Sequence, residues 1–308
     1  MGMVSTALAL AMATSAFAGD IPMRADATLP GLSQQTSGNA TTDTLAIQRD
    51  SYDRMTLPIS IAGKGSFDFL LDTGAQRSVL STGLAARLGF AAGEAIHVTG
   101  LAGSRSVNTV MLTGMRLGQR MVEDMQVPVF PDETMDSQGI LGLDSLKNQR
   151  VLLDFRARRI SIEESARPKA GDGYEIVVSA RRRGGQLILS HAWIDGIDTD
   201  IIVDTGADAA VGNRALQRAM AKTASGHIVT LSSITGQTIA AELGTATHLR
   251  IGRIQMSNVE IAFVDSPAFA ALKLTNRPAL LLGIHELRSF GRVAIDFPQH
   301  KILFDVSS

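Results

Sequence analysis

Two aspartates occupy the same short motif at two places in the chain. Asp72 and Asp204 each begin the tetrapeptide Asp-Thr-Gly-Ala, 132 residues apart (204 − 72), and each follows an apolar run typical of a buried strand. Two carboxyl groups brought close together share one proton, because both cannot ionise. Such a pair can supply a general acid and a general base at one point. The spacing therefore predicts two half-sites that meet to form one site with paired aspartates.

The repeat extends well beyond the tetrapeptide. Each copy continues to an apolar-apolar-glycine motif, at residues 140–142 and 281–283. The glycines follow the aspartates by 70 residues (142 − 72) and 79 residues (283 − 204). Each copy then has a strand-like segment with an Asp-Phe pair, which contains Asp154 or Asp296. We interpret these two aspartates as turn or ladder-end residues, because no glycine turn follows either of them.

This pattern resembles the retropepsin-type aspartic proteases, and two copies in one chain resemble the bacterial single-chain, retropepsin-like periplasmic proteases. The resemblance covers residues 43–306. It implies an all-β, bilobal acid-protease fold with two duplicated β-barrel-like lobes and a few short helices. It also implies an aspartic endopeptidase that hydrolyses a protein or peptide substrate with a water activated by the Asp dyad, without metal or cofactor. The alternatives are a catalytically silent retropepsin-like peptide-binding module and a self-cleaving or strictly regulated protease.

The residues that follow each aspartate have predicted supporting roles. Gly74 and Gly206 are expected where a backbone amide approaches the carboxylate closely and a Cβ would obstruct it. By the resemblance, the hydroxyl groups of Thr73 and Thr205 lock the two aspartate loops together across the lobe interface. We therefore expect the two aspartates to be catalytic and these four residues to support the active-site loops.

A hairpin that closes over the cleft is expected in each lobe between the aspartate motif and the later glycine. The segments that fit are residues 99–106 and 231–238, which combine glycine with polar groups able to bond a substrate backbone. The flap candidates within them are Gly100, Gly103, Ser233 and Gly236. The alternative is an ordinary exposed hairpin, since turn signals are common.

Alternating patterns and turn residues divide each lobe into short strands. The strands predicted to lead to the two aspartates lie at residues 45–48, 55–61, 67–72, 174–180, 186–194 and 199–204. The turns predicted between them lie at residues 63–65, 181–185 and 195–196. Short helices are predicted at residues 83–88, 144–148 and 213–220. Asp144 is the predicted N-cap of the helix at 144–148.

Composition narrows the set of partners. The 308 residues carry a net charge of −1, so bulk charge indicates neither a nucleic-acid partner nor an anionic membrane. Without cysteine the chain has no disulfide and no thiolate chemistry. The six histidines lack metal-binding spacing, so no metal site is expected. Because one chain encodes both half-sites, we expect a monomer to be sufficient for activity.

The N-terminal residues predict export. Residues 7–13 are apolar, and Ala16-Phe17-Ala18 is a small-x-small pattern typical of a signal peptide that is cut after Ala18. The alternative is an uncleaved anchor; with cleavage, the protein is periplasmic or secreted. The expected organisation is a signal peptide at 1–18, a disordered linker at 19–42, an N-terminal lobe at 43–165, an inter-lobe linker at 166–173 and a C-terminal lobe at 174–308.

Overall fold

The computed structural model describes residues 7–8, 12–13, 42–46, 48–49, 55–146, 148–164, 174, 176–189, 192–220 and 224–306. Strands dominate these ranges and the helices are short, which confirms the predicted all-β fold. No helix within them combines the length and the apolar character needed to cross a membrane. Nor do these ranges contain a group of three or more side chains suited to hold a metal ion.

Some predicted segments lie outside the described residues. They are the inter-lobe linker at 166–173 and, apart from Thr42, the linker at 19–42. Of the predicted signal peptide, the structure describes two short strands, β1 (Ala7–Leu8) and β2 (Met12–Ala13).

Lobe one is built from short strands with two short α-helices. Its elements are β3 (Thr42–Ala46), β4 (Gln48–Arg49), β5 (Met55–Ile61), β6 (Lys64–Leu71), β7 (Val79–Ser81), α1 (Thr82–Leu88), β8 (Ala92–Thr99), β9 (Ser104–Leu112), β10 (Met115–Leu117), β11 (Arg120–Met121), β12 (Met125–Phe130), β13 (Gly139–Leu141), α2 (Leu143–Leu146), β14 (Gln149–Asp154) and β15 (Arg159–Glu164). A 3₁₀ turn at Asp132–Thr134 precedes β13.

Lobe two repeats this order with longer hairpins. Its elements are β16 (Ile176–Arg183), β17 (Gln186–Leu189), β18 (Ala192–Ile194), β19 (Ile197–Asp198), β20 (Asp200–Val203), β21 (Val211–Asn213), α3 (Arg214–Met220), β22 (Ala224–Ser233), β23 (Thr238–Ile251), β24 (Ile254–Val264), α4 (Pro267–Ala271), β25 (Ala279–Leu282), α5 (Ile284–Leu287), β26 (Phe290–Asp296) and β27 (Lys301–Val306).

Two local predictions are wrong. The turn predicted at 181–185 is confined to Gly184 and Gly185, because the three arginines before them continue β16 and pair with β17. Asp144 does not cap a helix from outside; it lies within α2, and its carboxylate accepts the N–H of Ser78 from the aspartate loop. The helix α4 was missed, although Ser266 caps it and Pro267 begins it.

An antiparallel sheet joins the two lobes. Its strand order is β16-β27-β26-β14-β15-β3, so three strands come from each lobe. The equivalent strands β14 and β26 pair at the centre, with Leu152 opposite Ala294. A pseudo-two-fold axis therefore passes through this pair. Asp154 and Asp296 accept the N–H groups of turn residues at the strand ends, which confirms their structural interpretation.

The core is continuous between the lobes. The largest apolar cluster takes residues from both, including Leu153 and Val293 of the central strands. A smaller cluster beside each aspartate loop contains Ala75 in lobe one and Ala207 in lobe two. Because the lobes share one core, the two loops are held in a fixed relation to each other.

Candidate active site

The same strand crossing delivers each aspartate. β6 runs to Asp72, and β13 lies between β6 and β7, parallel to the first and antiparallel to the second. β25 lies in the same way between β20 and β21. The chain therefore leaves on one side of a central strand, turns through the Asp-Thr-Gly loop and returns on the other side. The N–H of Asp72 donates to the Leu141 carbonyl at 3.1 Å, and that of Asp204 to the Leu282 carbonyl at 3.0 Å.

The glycine after each central strand is required by a close approach of two backbones. A Cβ on Gly142 would lie 2.5 Å from the backbone carbonyl of Arg77, and one on Gly283 would lie 2.7 Å from that of Ala209. Side chains do not fit at such distances, so any substitution would push the aspartate loop outward. The two apolar-apolar-glycine motifs thus position the site without touching the reacting groups.

Thr73 and Thr205 connect the two loops by four buried hydrogen bonds. The Thr73 hydroxyl donates to the Val203 carbonyl at 2.9 Å, and the Thr205 hydroxyl donates to the Leu71 carbonyl at 2.7 Å. Each hydroxyl also accepts the N–H of the other threonine, at 3.1 and 3.2 Å. This symmetrical network fixes one loop directly to the other.

The two carboxyl groups lie side by side in the interior. Asp72 and Asp204 are both 0% exposed, and a proton on one can hydrogen-bond to the other. Oδ1 of Asp72 accepts the N–H groups of Gly74 at 2.8 Å and Ala75 at 2.9 Å. Oδ1 of Asp204 accepts the N–H of Gly206 at 3.0 Å. In the described part of the chain, neither Oδ2 atom has a hydrogen-bond partner beyond the pair itself.

Burial raises the pKa of both acids. Burial is the largest cause that raises the pKa of Asp72 well above its usual value, and the charge of Asp204 raises it further. Burial also raises the pKa of Asp204, to about 6. Because the acids titrate as a pair, they hold a single proton over a pH range that begins near that value.

The motif glycines are needed for a reason that the sequence did not show. Each donates its N–H to the aspartate of its own loop, as expected. A Cβ on Gly74, however, would overlap the carboxylate of Asp204, and one on Gly206 would overlap that of Asp72. Each glycine therefore leaves room for the acid of the opposite lobe.

Hairpins are present at both predicted flap positions, and they meet. β8 and β9 form one hairpin, and β22 and β23 form the other. Gly100 packs against the Ser233 hydroxyl, and Gly103 packs against the side chain of Gln237. Arg105 donates to a carbonyl in the other tip at 3.2 Å and lies beside Gly236. The tips are thus packed against each other instead of standing free in solvent.

Each flap tip also places an apolar side chain in the opposite lobe. Leu101 is 0% exposed, packs in the lobe-two cluster with Phe269, and its carbonyl accepts the Ser266 hydroxyl at 2.5 Å. Ile234 is 2% exposed and packs in the lobe-one cluster with Phe130. The sequence analysis missed both residues; the available signal was an apolar residue close to a glycine at each hairpin tip.

A second contact between the lobes is one-sided. The side-chain amide of Gln186, at the start of β17, donates to the carbonyl of Gly74 in the lobe-one loop. Gln76 reaches back from that loop to the carbonyl of Gly184, in the turn between β16 and β17. The lobe-one aspartate loop is therefore held by lobe two at two further points.

A bilobal β fold with two such loops and one buried aspartate pair defines the aspartic protease class. The family model described as "Aspartyl protease" matches residues 57–145 and 190–285, one stretch in each lobe and more than half of the chain together. The chain therefore belongs to the aspartyl protease family, and the retropepsin-like resemblance is confirmed. No match was found among the curated proteins. Family membership supports a protease-like function and the binding of peptides.

Proposed function

We propose that the protein is an aspartic endopeptidase that hydrolyses peptide bonds with a water activated by Asp72 and Asp204. One observation carries the proposal: two adjacent carboxyl groups are fully buried, and the pKa of each is raised. Burial and mutual repulsion disfavour the doubly ionised pair, so one proton is retained. The retained proton gives the site an acid and a base at the same place.

The singly protonated pair has what peptide hydrolysis requires. The ionised carboxylate accepts a proton from a water molecule, whose oxygen bonds to the substrate carbonyl carbon, while the other carboxyl group gives its proton to the carbonyl oxygen. Breakdown of this intermediate breaks the C–N bond, and the pair returns a proton to the departing amine. The products are a carboxylate and an amine, and no bond to the protein forms. The N–H groups of Gly74, Ala75 and Gly206 keep the carboxyl groups in place throughout.

The flaps support this function because closed hairpins exclude bulk water from a buried dyad. For a substrate to enter, Leu101 and Ile234 must leave the apolar clusters of the opposite lobes. Opening therefore exposes apolar surface, and closing over a peptide buries it again. We assign the flap role to the two hairpin tips, which contain Gly100, Gly103 and Gly236.

The test of this function is substitution of each aspartate by asparagine, with cleavage of unfolded, dye-labelled casein as the assay. Asp72→Asn and Asp204→Asn should each lower kcat by roughly 10³-fold or more, and the double variant should be no worse, because the two acids act as a unit. The control is Asp154→Asn, which should retain cleavage because Asp154 accepts a turn N–H from Ala157 at 2.8 Å.

Two results would contradict the proposal. If Asp204→Asn cleaves almost as fast as the wild type, lobe two does not contribute to catalysis. If the wild-type chain is folded, binds peptides and cleaves none, the protein is a catalytically silent binding module.

We also propose that the protein acts as a monomer in the periplasm or outside the cell. Both half-sites are on one chain and are joined by Thr73 and Thr205, so a second copy adds nothing to the site. The apolar residues 7–13 and the following Ala16-Phe17-Ala18 support export. Activity per mole of chain should stay constant on dilution. A decrease that follows the dissociation of a dimer would refute the monomer.

A further inference from the structure

Two short strands at the N-terminus lie against the two flaps. β1 pairs in parallel with β22, and β2 pairs antiparallel with β8. The paired residues are Ala7 with Ser232, Leu8 with Ser233, Met12 with Thr99 and Ala13 with Val98. β8 and β22 are the first arms of the two flap hairpins, and each is bonded on its other side to the second arm. Residues 7–13, here called the N-terminal segment, therefore contact the free edge of both flaps.

The opposite directions of the two pairings have a geometrical cause. The first arms β8 and β22 are equivalent strands, related by the pseudo-two-fold axis between the lobes. Rotation about this axis reverses the direction of an arm, whereas a peptide that crosses the axis keeps one direction throughout. A single extended peptide must therefore run antiparallel to one arm and parallel to the other. One pairing of each kind is what a substrate-like peptide across the cleft would produce.

The flap tips show which positions of the two arms correspond. Leu101 and Ile234 are equivalent, because each enters the apolar cluster of the opposite lobe. Thr99 and Ser232 precede these residues by two positions, so they are equivalent as well.

The register of the segment is centred on the same axis. Met12 lies opposite Thr99, and Ala7 lies opposite Ser232. The midpoint between positions 7 and 12 falls in the sequence between residues 9 and 10. Pairing with the free edges of two strands supplies main-chain hydrogen bonds, which is how sheet proteins bind extended peptides without demanding particular side chains.

We propose that the N-terminal segment is a tethered peptide that occupies the cleft in the orientation of a substrate and blocks it for as long as the segment stays attached. The inference rests on the proposed function only in placing the dyad beneath the segment. A tethered peptide competes at an effective concentration on the order of millimolar, so it would exclude most free peptides. Removal of the segment, by whatever cut follows it, would free the cleft.

The experiment uses the full chain with Asp72→Asn, so that the segment stays intact. Leu8→Pro/Met12→Pro is added to this parent, because proline has no N–H for the sheet ladder. The matched control is Ser33→Pro/Ser37→Pro, which has the same spacing outside the paired strands. The probe is a fluorescent peptide with the sequence of residues 5–15 and a lysine at each end.

The proline variant should bind the probe at least tenfold more tightly than the parent and the control. Hydrogen exchange at residues 98–99 and 232–233 should be slow in the parent and faster in the variant. Exchange in β14 and β26 should not change, because the apolar clusters draw only on residues 55–304 and the prolines lie outside them.

Equal affinity for the probe in all three chains would overturn the proposal. So would rapid exchange of the flap arms in the parent, a measurement that needs no proline variant. If the variant gains affinity but a catalytically intact chain with the same prolines cleaves nothing, occupancy stands and the protease function fails.

Discussion

The two lobes share one strand crossing but support the back of their aspartate loops with different chemical groups. In lobe one, the Ser78 hydroxyl accepts the N–H of Gly142 at 3.1 Å and donates to Oδ1 of Asp144 at 2.7 Å. The loop is thus tied to the central strand through a neutral hydroxyl, which a carboxylate orients from α2.

Lobe two has no hydroxyl at the matching place. Ala210, six residues after its aspartate as Ser78 is in lobe one, has only its backbone to offer. Glu286 from α5 fills the position, and its carboxyl group accepts the N–H groups of Ala210 and Gly283. Burial raises the pKa of Glu286 to about 7, and the side chain is only 5% exposed. The fold requires an acceptor here, and only lobe two meets the need with a group that titrates.

The largest effect should come from the feature that the lobes have in common. Thr73→Val and Thr205→Val should each lower the free energy of unfolding by roughly 2–3 kcal/mol, because each leaves a buried carbonyl and a buried N–H unpaired. Urea unfolding measures the loss. Thr73→Ser and Thr205→Ser keep the hydroxyl and are the controls. If one valine variant were neutral and the other severe, the connection between the loops would not be symmetrical.

A smaller effect should separate the lobes by pH. Glu286 has a raised pKa when folded, so its contribution to stability is present below about pH 4.5 and is lost as the pH rises towards 7. Glu286→Gln cannot ionise, so it should gain about 2 kcal/mol relative to the wild type between pH 4.5 and pH 8. Thermal unfolding at the two pH values measures this gain.

The lobe-one counterpart is Ser78→Ala, which removes a hydroxyl that does not titrate near neutral pH. It should lower stability by about 1–2 kcal/mol at both pH values. If Ser78→Ala showed the pH dependence and Glu286→Gln did not, the assignment of the titrating group to lobe two would be wrong.

The smallest effect concerns the acid limb of the pH–rate profile. Cleavage requires one ionised acid, so the rate should fall as the pH drops through about 6, where Asp204 takes up its proton. Ala75 and Ala207 offer no hydroxyl to the Oδ2 atoms. Ala75→Ser and Ala207→Ser should each shift this limb to lower pH, by less than about one unit, because a hydroxyl that donates to the ionised form favours it.

Comparison of these two variants shows whether the lobes contribute equally to the titration of the pair. A wild-type limb with its midpoint below about pH 5, near the upper value known for pepsin, would contradict the raised pKa of the pair. An unmoved limb in both serine variants would contradict the role assigned to the missing hydroxyls.

Local sequence patterns predicted the elements that carry the dyad well. The strand predicted at 55–61 coincides with β5, and the turn at 195–196 is where it was expected. The failure at 181–185 is instructive, because a run of arginines is typical of an exposed tip. Arg181 instead stays in β16 and pairs with Asp200 at 2.7 Å, and Asp200 is only 3% exposed. That partner lies on another strand, so no local pattern indicates it.

The sequence by itself determined that two acid-bearing loops exist, that each follows a buried strand, and that the halves repeat. Apolar alternation and glycine turns are properties of neighbouring residues, so they are visible along the chain. Only the tertiary structure decided that each glycine makes room for the opposite acid, that Leu101 and Ile234 exchange lobes, and that burial raises both pKa values. These properties arise between residues more than a hundred positions apart, as with Thr73 and Thr205, where desolvation and contact depend on packing that no short segment encodes.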